Sequence, residues 1–263
     1  FPDHGEAVST LLRRAEIALY EAKLSPSKLA VYETGRDETH IRELAIASDI
    51  DLAMNNGQLQ LYYQPKVDLL DGNTAQAEAL VRWQHPELGL LQPKQFLAVA
   101  EQCDLINTIG ETVLAIACKQ IVKWKNLGLP IETVAVNIAG NQIHHSKLVE
   151  IVDNILQQTK CKTEWLELEI TEDFILKKTQ QAISTLQQLR DLGVSLAIDD
   201  FGTGYSSLAY LKRLPLSKLK IDKSFIMDMI EDDNDAMIVR STIDLAHNLG
   251  KIGRASCRGR GQS

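Results

Sequence analysis

The sequence predicts an α/β fold in which short apolar strands alternate with longer amphipathic helices. From residue 59 onward a strand and a helix follow one another roughly every 30 residues, and repeats of this kind predict a parallel sheet. Their number favours a TIM-type barrel over an open doubly wound sheet. No glycine-rich dinucleotide fingerprint follows any strand, which weighs against a Rossmann domain. The predicted fold class is therefore α/β, a TIM-type barrel.

The N-terminal segment has a different pattern from the rest. Residues 11–23 have an apolar face at helical spacing, and residues 29–32 have the composition of a strand. A segment of about 35 residues cannot bury a core of its own. We expect a linker helix at residues 36–56 to lead from it into the barrel.

The barrel segments follow in order from residue 57. We assign strands to short apolar runs and helices to amphipathic runs. The predicted strands are residues 60–67, 75–83, 134–138, 166–171, 194–199 and 219–222, and the predicted helices are 93–100, 107–125, 146–159, 179–192 and 233–249.

The composition limits the possible partners. The 263 residues carry a net charge of −7, with 44% hydrophobic and 24% charged residues, which is ordinary for a soluble globular protein. The acidic balance argues against a nucleic acid polymer as partner. No apolar run approaches the roughly 20 residues of a membrane span. We therefore expect a cytoplasmic fragment without membrane contact, although its parent protein could be membrane-anchored.

Polar side chains lie at or near the ends of five separate strands. They are Glu78, Asn137, Glu169, Asp199 and Lys220. The carboxyl ends of barrel strands meet at one mouth, and period-two alternation places these residues on the inner face of the sheet. One such residue is most often a helix cap or a solvated turn, but five on separate strands indicate a site. Oxygen ligands without His or Cys suit Mg²⁺ or Mn²⁺.

The adjacent pair Asp199 and Asp200 closes one strand and runs into a glycine-containing loop. Neighbouring carboxylates repel each other, and their burial requires compensating cations. A bound metal ion would supply this compensation, and an ordinary polar turn is the alternative. Lys220 could position a water molecule or neutralise charge on a phosphate.

Six motifs, in this order, resemble the EAL domain family. They are Tyr62-Tyr63-Gln64-Pro65, Glu78-Ala79-Leu80 continued by Val81-Arg82-Trp83, Val136-Asn137-Ile138, Glu169-Ile170-Thr171-Glu172, the loop from Asp199 to Leu208, and Lys220-Ile221-Asp222-Lys223-Ser224-Phe225. The resemblance extends over residues 50–250. It implies a TIM-like barrel that hydrolyses cyclic di-GMP to linear pGpG with two metal ions, Mg²⁺ or Mn²⁺.

The resemblance also implies a role for each matched residue. The metal ligands would be Glu78, Asn137, Glu169 and Asp199, with Asp200 on the second ion. Lys220 would orient the attacking water and act in catalysis with Glu78 and Asp199, while Gln64, Leu80 and Arg82 would contact the cyclic dinucleotide. Glu172 would steady the loop after Asp200, a loop that also tends to couple the active sites of a homodimer.

Two other functions stay open beside hydrolysis. A degenerate EAL domain can act as a cyclic di-GMP receptor that does not cleave, and a third possibility is a scaffold that only dimerises. Degenerate members usually lose the metal-binding residues, whereas Glu78, Asn137, Glu169, Asp199, Asp200 and Lys220 are all present. This favours the phosphodiesterase.

The two ends of the chain depart from the EAL pattern. Residues 1–35 resemble the C-terminal end of a GGDEF diguanylate cyclase domain, through the stretches LLRRAEIALYEAK and AVYE. We expect the EAL domain to occupy residues 57–250 and to be incomplete at its C-terminal end. Residues 251–263 are basic and glycine-rich, without a strand pattern.

The family continues instead with a strand of the type VVAEGVE, whose Glu is a further metal ligand. A one-base shift of suitable codons for this tail recovers that motif, so we expect a frameshifted tail, with a vector-derived one as the alternative. Without that carboxylate we expect weak metal and ligand binding and impaired hydrolysis.

Overall fold

The computed structural model describes residues 3–24, 27–68, 72–172, 180–202 and 211–255, which fall into two compact units. The first unit comprises Phe1–Gln58 and Trp83–Leu105, and the second comprises Leu59–Arg82 and Ile106–Ser263. Most of the predicted loop from Asp199 to Leu208 lies outside the described residues, which stop at Gly202 on that side.

The first unit is built around helices and the end of one strand. Its elements are α1 (Val8–Leu24), α2 (Arg36–Asn55), the short strand β3 (Gly89–Leu91) and α3 (Pro93–Gln102). Trp83 is fully buried and packs edge-to-face on Phe96, with 5.6 Å between ring centroids. Its indole N–H donates to Gln58 Oε1 at 3.0 Å, so the buried polar atom has a partner.

The prediction of a strand at residues 29–32 is wrong. The structure assigns no strand there, and Leu29 and Val31 are both more than half exposed. Tyr32 alone of these four is buried, and its hydroxyl donates to Asp37. An apolar run forms a strand only where a neighbouring backbone completes the hydrogen bonds, and no described strand lies beside this segment.

The second unit alternates strands and helices, as predicted. Its elements are β1 (Leu59–Lys66), most of β2 (Gln76–His85), α4 (Ile106–Asn126), β4 (Thr133–Ile138), α5 (Gly140–Ile143), α6 (Leu148–Thr159), β5 (Leu166–Thr171), α7 (Gln180–Asp191), β6 (Ser195–Phe201), β7 (Lys218–Ile221), α8 (Lys223–Asp228), α9 (Asp233–Asn248) and β8 (Ile252–Ala255). Each predicted strand and helix of this unit is present, with ends that differ by one or two residues.

The strands form one sheet in the order β1-β2-β4-β5-β6-β7-β8, with β3 paired to the end of β2. Every neighbouring pair from β2 to β8 along this path is parallel. Parallel pairing through helical connections is the pattern of a TIM-type barrel, and the predicted α/β class is confirmed. The carboxyl ends of these strands consequently lie on the same side of the sheet.

Strand β8 corrects the expectation that no strand follows Gly250. Ile252 N–H donates to the Ser217 carbonyl at 3.0 Å, and residues 252–255 run parallel to β7. Gly250 has a positive φ of 66° and makes the turn that reverses the chain after α9. The open edge of β7 offers backbone donors and acceptors to any chain that reaches it, so pairing occurs without an apolar sequence pattern.

A membrane-spanning helix is not found in the described part of the chain. Each helix there is too short or too polar to cross a bilayer.

Candidate metal centre

Three buried carboxylates from three strands meet on the inner face of the sheet. Glu78 on β2, Glu169 on β5 and Asp199 on β6 each offer an oxygen, and these oxygens all lie within 4.8 Å of one another. The exposed fraction is 5% for Glu78 and 1% for the other two. We call these three residues the carboxylate triad.

The register of the parallel strands explains why these residues meet. Asn137 on β4 lies directly opposite Glu169, and Glu169 lies opposite Ala197 on β6. Asp199 follows Ala197 by two residues and therefore points to the same face. The neighbouring apolar residues of each strand alternate to the other face, so strand register and period-two alternation together bring Asn137, Glu169 and Asp199 to one face.

Lys220 on β7 lies at the centre of the carboxylate triad. Its Nζ is 3.1 Å from Glu78 Oε2 and 3.0 Å from Asp199 Oδ2, and it also donates to Glu169 Oε2. The side chain is 4% exposed. One ammonium group therefore pairs with three buried carboxylates, which lowers the cost of burying them.

The pKa values of Lys220 and Glu169 reflect one ammonium group in contact with three carboxylates. Burial alone would lower the pKa of Lys220, but Glu169, Glu78 and Asp199 outweigh it and raise that pKa above its ordinary value. Burial raises the pKa of Glu169, with Glu78 and Asp199 adding to the rise, although Lys220 and Lys66 oppose it. Lys220 is thus firmly cationic, while the acids remain short of positive charge.

Asn137 extends the triad by one oxygen-bearing side chain. Its Nδ2 donates to Glu78 Oε1 at 2.9 Å. This hydrogen bond turns the amide oxygen of Asn137 away from Glu78, so the oxygen is available as a neutral ligand. The structure therefore brings together Glu78, Asn137, Glu169, Asp199 and Lys220, the five residues selected from the strand ends.

Asp200 lies next to this cluster but does not belong to the triad. Its φ is +53°, and the β6–β7 register shifts by one residue between Ile198 and Phe201. Such a bulge re-aims side chains at the end of a strand, and Asp tolerates the left-handed conformation better than most residues. The Asp200 side chain lies beside Asp222, which caps helix α8 through the N–H of Ser224.

Glu172 reaches the loop that follows Asp200. Its buried carboxylate accepts a hydrogen bond from the Gly202 backbone N–H at 2.7 Å. Gly202 has a φ of 106°, a conformation that other residues rarely adopt. The contact joins the end of β5 to the beginning of the loop.

Gln64, Leu80 and Arg82 are half-buried and lie outside the triad. Arg82 is 5.7 Å from the ring centroid of Tyr62, and its Nη1 donates to the Val81 carbonyl at 2.8 Å. Stacking of this kind fixes a guanidinium in one orientation. Arg82 is thereby a positioned cation on β2, the strand that carries Glu78.

Sequence reasoning missed a second layer of charge on the same face. Glu167 lies two residues before Glu169 on β5, and it accepts hydrogen bonds from Lys218 on β7 and from Lys66 on β1. Lys66 Nζ also lies 2.5 Å from Glu169 Oε1. The signal was the same period-two alternation, since Glu167 precedes Glu169 and Lys218 precedes Lys220 by two positions.

The donor set fits a hard divalent cation. The triad offers carboxylate oxygens from three strands, Asn137 adds an amide oxygen, and no described His or Cys belongs to the group. Mg²⁺ and Mn²⁺ take ligands of this kind, whereas zinc sites are usually built with His or Cys. The triad can therefore hold a metal ion, with Lys220 beside it.

Comparison with known proteins identifies the family. The sequence model of the EAL domain matches residues 47–252. The chain belongs to the EAL domain family. The match begins inside helix α2 and ends at the first residue of β8, and it contains every residue of the carboxylate triad.

Two curated EAL relatives come from Pseudomonas aeruginosa. Cyclic di-GMP phosphodiesterase NbdA is 40% identical over 250 residues, which are 95% of this chain and 32% of NbdA. The bifunctional diguanylate cyclase/cyclic di-GMP phosphodiesterase MucR is also 40% identical over 250 residues, 95% of this chain and 36% of MucR. The chain thus spans about a third of the length of these relatives.

A solved EAL structure has the same fold. It is described as the PaMucR phosphodiesterase in complex with c-di-GMP, and it superposes with a TM-score of 0.77 at 41% sequence identity. The superposition covers 82% of this chain and 88% of the solved chain. It supports the parallel α/β architecture of TIM-barrel type.

Replacing Lys220 by methionine tests whether its ammonium group compensates the triad. We expect K220M to lose about 3–5 kcal/mol of unfolding free energy, because removing one partner of a buried ion pair leaves uncompensated charge. Urea unfolding in the presence of a chelator measures the loss.

The matched control is K162M, because Lys162 is 63% exposed and lies 3.8 Å from Glu164. A surface pair of this kind contributes at most about 1 kcal/mol. Equal unfolding midpoints for K220M and K162M would contradict the central position of Lys220.

Proposed function

We propose that this chain is a metal-dependent phosphodiesterase that hydrolyses cyclic di-GMP to linear pGpG. The observation that carries the proposal is the buried carboxylate triad around Lys220, on the parallel strands of an EAL domain. The substrate class is supported by the names of NbdA and MucR as cyclic di-GMP phosphodiesterases and by the c-di-GMP complex of PaMucR.

We assign the metal ligands to the triad and its neighbours. Glu78, Asn137, Glu169 and Asp199 would hold Mg²⁺ or Mn²⁺, and Asp200 would serve a second ion from its position in the bulge. When bound, such ions lower the pKa of a water molecule and neutralise the non-bridging oxygens of a phosphodiester.

Lys220 would act as a hydrogen-bond donor in this reaction. Because the triad raises the pKa of Lys220, its ammonium group keeps its protons and does not serve as a general base. It can donate to the attacking water and fix the water's orientation, as well as place positive charge near the phosphate. The same geometry that compensates the acids therefore positions the nucleophile.

The dinucleotide would bind along β1 and β2. Arg82 is held by Tyr62 and by the Val81 carbonyl, which gives a fixed cation for a phosphate oxygen. Gln64 offers both an amide donor and an acceptor to a guanine edge or ribose. Leu80, half-buried on β2, would add an apolar contact.

We also propose that hydrolysis is slow in this chain. The family resemblance implies a strand with another carboxylate ligand after Gly250, whereas residues 252–255 of this chain read Ile-Gly-Arg-Ala. The tail from residue 251 therefore contributes no acidic group to the site. One carboxylate fewer lowers the affinity for a divalent cation.

Incubation with cyclic di-GMP and Mn²⁺, followed by quantification of pGpG, tests the proposal. We expect pGpG to accumulate in proportion to enzyme concentration, to stop on addition of a chelator, and to fall at least about 100-fold in E169Q, which removes a metal ligand. E164Q, an exposed carboxylate on a 3₁₀ turn, is the control and should retain full activity.

Two results would count against this function. Formation of pGpG by E169Q at the unmodified rate would exclude the triad as the catalytic centre. Binding of cyclic di-GMP without cleavage would identify the chain as a receptor for the dinucleotide.

We further propose that residues 1–35 are the C-terminal end of a GGDEF domain. The matches to NbdA and MucR extend over 250 residues, beyond the 47–252 range of the EAL model, and MucR carries the name of a diguanylate cyclase as well. This segment alone would have no cyclase activity. Formation of cyclic di-GMP from GTP by this chain would contradict the assignment.

A homodimer is our proposal for the assembly, through the loop that follows Asp200. The support is the contact between Glu172 and Gly202, which ties the beginning of that loop to the end of β5 beside the triad. Sedimentation equilibrium should then give twice the mass of one chain, and a monomer at all concentrations would contradict the proposal.

A further inference from the structure

Lys66 connects the carboxylate triad to the layer of charge beneath it. Its Nζ lies 2.5 Å from Glu169 Oε1 and 3.1 Å from Glu167 Oε1. The two acids are two residues apart on β5 and therefore share a face. Lys66 is thus the described lysine that contacts one acid inside the triad and one acid outside it.

Both oxygens of Glu169 accept from ammonium groups. Lys220 holds Oε2 and Lys66 holds Oε1. A metal ion that binds Glu169 has to share or replace at least one of these contacts, because an ammonium group and a divalent cation repel each other at such distances. The metal ion would therefore compete with Lys66 or with Lys220 for an oxygen of Glu169.

The contacts of the two lysines differ, and the difference favours displacement of Lys66 from Glu169. Lys220 contacts all three acids of the triad and is 4% exposed, and among the described residues its ion pairs are all with the triad. Lys66 is 16% exposed, and its second partner, Glu167, does not belong to the triad. Moving Lys66 fully onto Glu167 keeps its ion pair and removes its charge from Glu169.

Glu167 can retain the ammonium group of Lys66 as its ion-pair partner. Its Oε2 is taken by Lys218, while its Oε1 faces Lys66. The carboxylate is 1% exposed and so requires cationic partners whatever happens at Glu169. Each oxygen of Glu167 therefore has its own lysine.

We propose that Lys66 is a positioning residue that holds Glu169 until a divalent cation takes its place, after which Glu167 retains the ammonium group. The inference rests on the proposed metal site and adds to it a residue that sets its affinity. Lys66 lowers the affinity of the site for metal and in return compensates the buried acid.

The first test compares Mn²⁺ binding by the unmodified chain and by K66M, through the electron paramagnetic resonance signal of free Mn²⁺. We expect K66M to bind Mn²⁺ about tenfold more tightly, equivalent to about 1.4 kcal/mol, because Glu169 Oε1 no longer has a competing cation. In chelator, K66M should melt at a lower temperature than the unmodified chain.

Two matched variants accompany this measurement. K66R keeps the positive charge and should restore the unmodified affinity for Mn²⁺. K162M removes an exposed lysine whose ion-pair partner is Glu164, outside the triad, and should change neither quantity. A lysine that served only the fold would lower stability and metal affinity together, so the opposite signs expected for K66M distinguish the two roles.

E167Q gives a second test that does not depend on the folding of K66M. Without the carboxylate at residue 167, Lys66 stays with Glu169, and we expect Mn²⁺ to bind several-fold more weakly. In the double variant with K66M this weakening should largely disappear. An effect of E167Q that is the same in both backgrounds would overturn the proposal, because it would show action at a distance rather than through Lys66.

The outcomes separate the two proposals. If the unmodified chain binds Mn²⁺ and K66M binds it equally or more weakly, the role of Lys66 is wrong and the metal site stands. If the unmodified chain binds no Mn²⁺, the metal site itself is wrong, and the role of Lys66 is overturned with it.

Discussion

The ammonium group of Lys220, shared by three buried carboxylates, is the interaction on which the inner face of the sheet depends. Glu78, Glu169 and Asp199 come from three different strands, and their oxygens lie within 4.8 Å of one another. Unpaired, such charges would oppose the closure of the strands around them. The ion pairs of Lys220 offset this repulsion and link β7 to β2, β5 and β6. The same ion pairs therefore form the candidate site and stabilise this face of the sheet.

The second layer of charge extends the same principle. Glu167 pairs with Lys218 and Lys66, and Lys66 reaches up to Glu169. Acids and lysines therefore alternate in the series Lys218, Glu167, Lys66 and Glu169, which ends at the triad. Glu167 and the three acids of the triad each have at least one ammonium partner, which lowers the cost of burying them.

Much of this was predictable from sequence for a definite reason. Charged residues interrupt otherwise apolar strands at Glu78, Glu169, Asp199 and Lys220, which is why the sequence singles them out, and the structure brings the four side chains together. The ion-pair partners were not predictable, because contacts such as Lys66 with Glu169 join β1 and β5, which are not neighbours in the sheet and which no strand pairing relates. The bulge at Asp200 and the strand after Gly250 were missed since both arise from backbone pairing rather than composition. The prediction of a strand at residues 29–32 was wrong for the converse reason. The segment has the composition of a strand, but no described strand lies beside it.

Diffraction from crystals of this chain soaked in Mn²⁺, with anomalous data collected at the manganese absorption edge, tests most directly whether the carboxylate triad is a metal centre. We predict an anomalous peak bonded to oxygens of Glu78, Glu169 and Asp199, with Lys220 retained beside it. Manganese bound elsewhere, with the three carboxylates still closed around Lys220, would contradict the claim that this charge cluster is a metal centre.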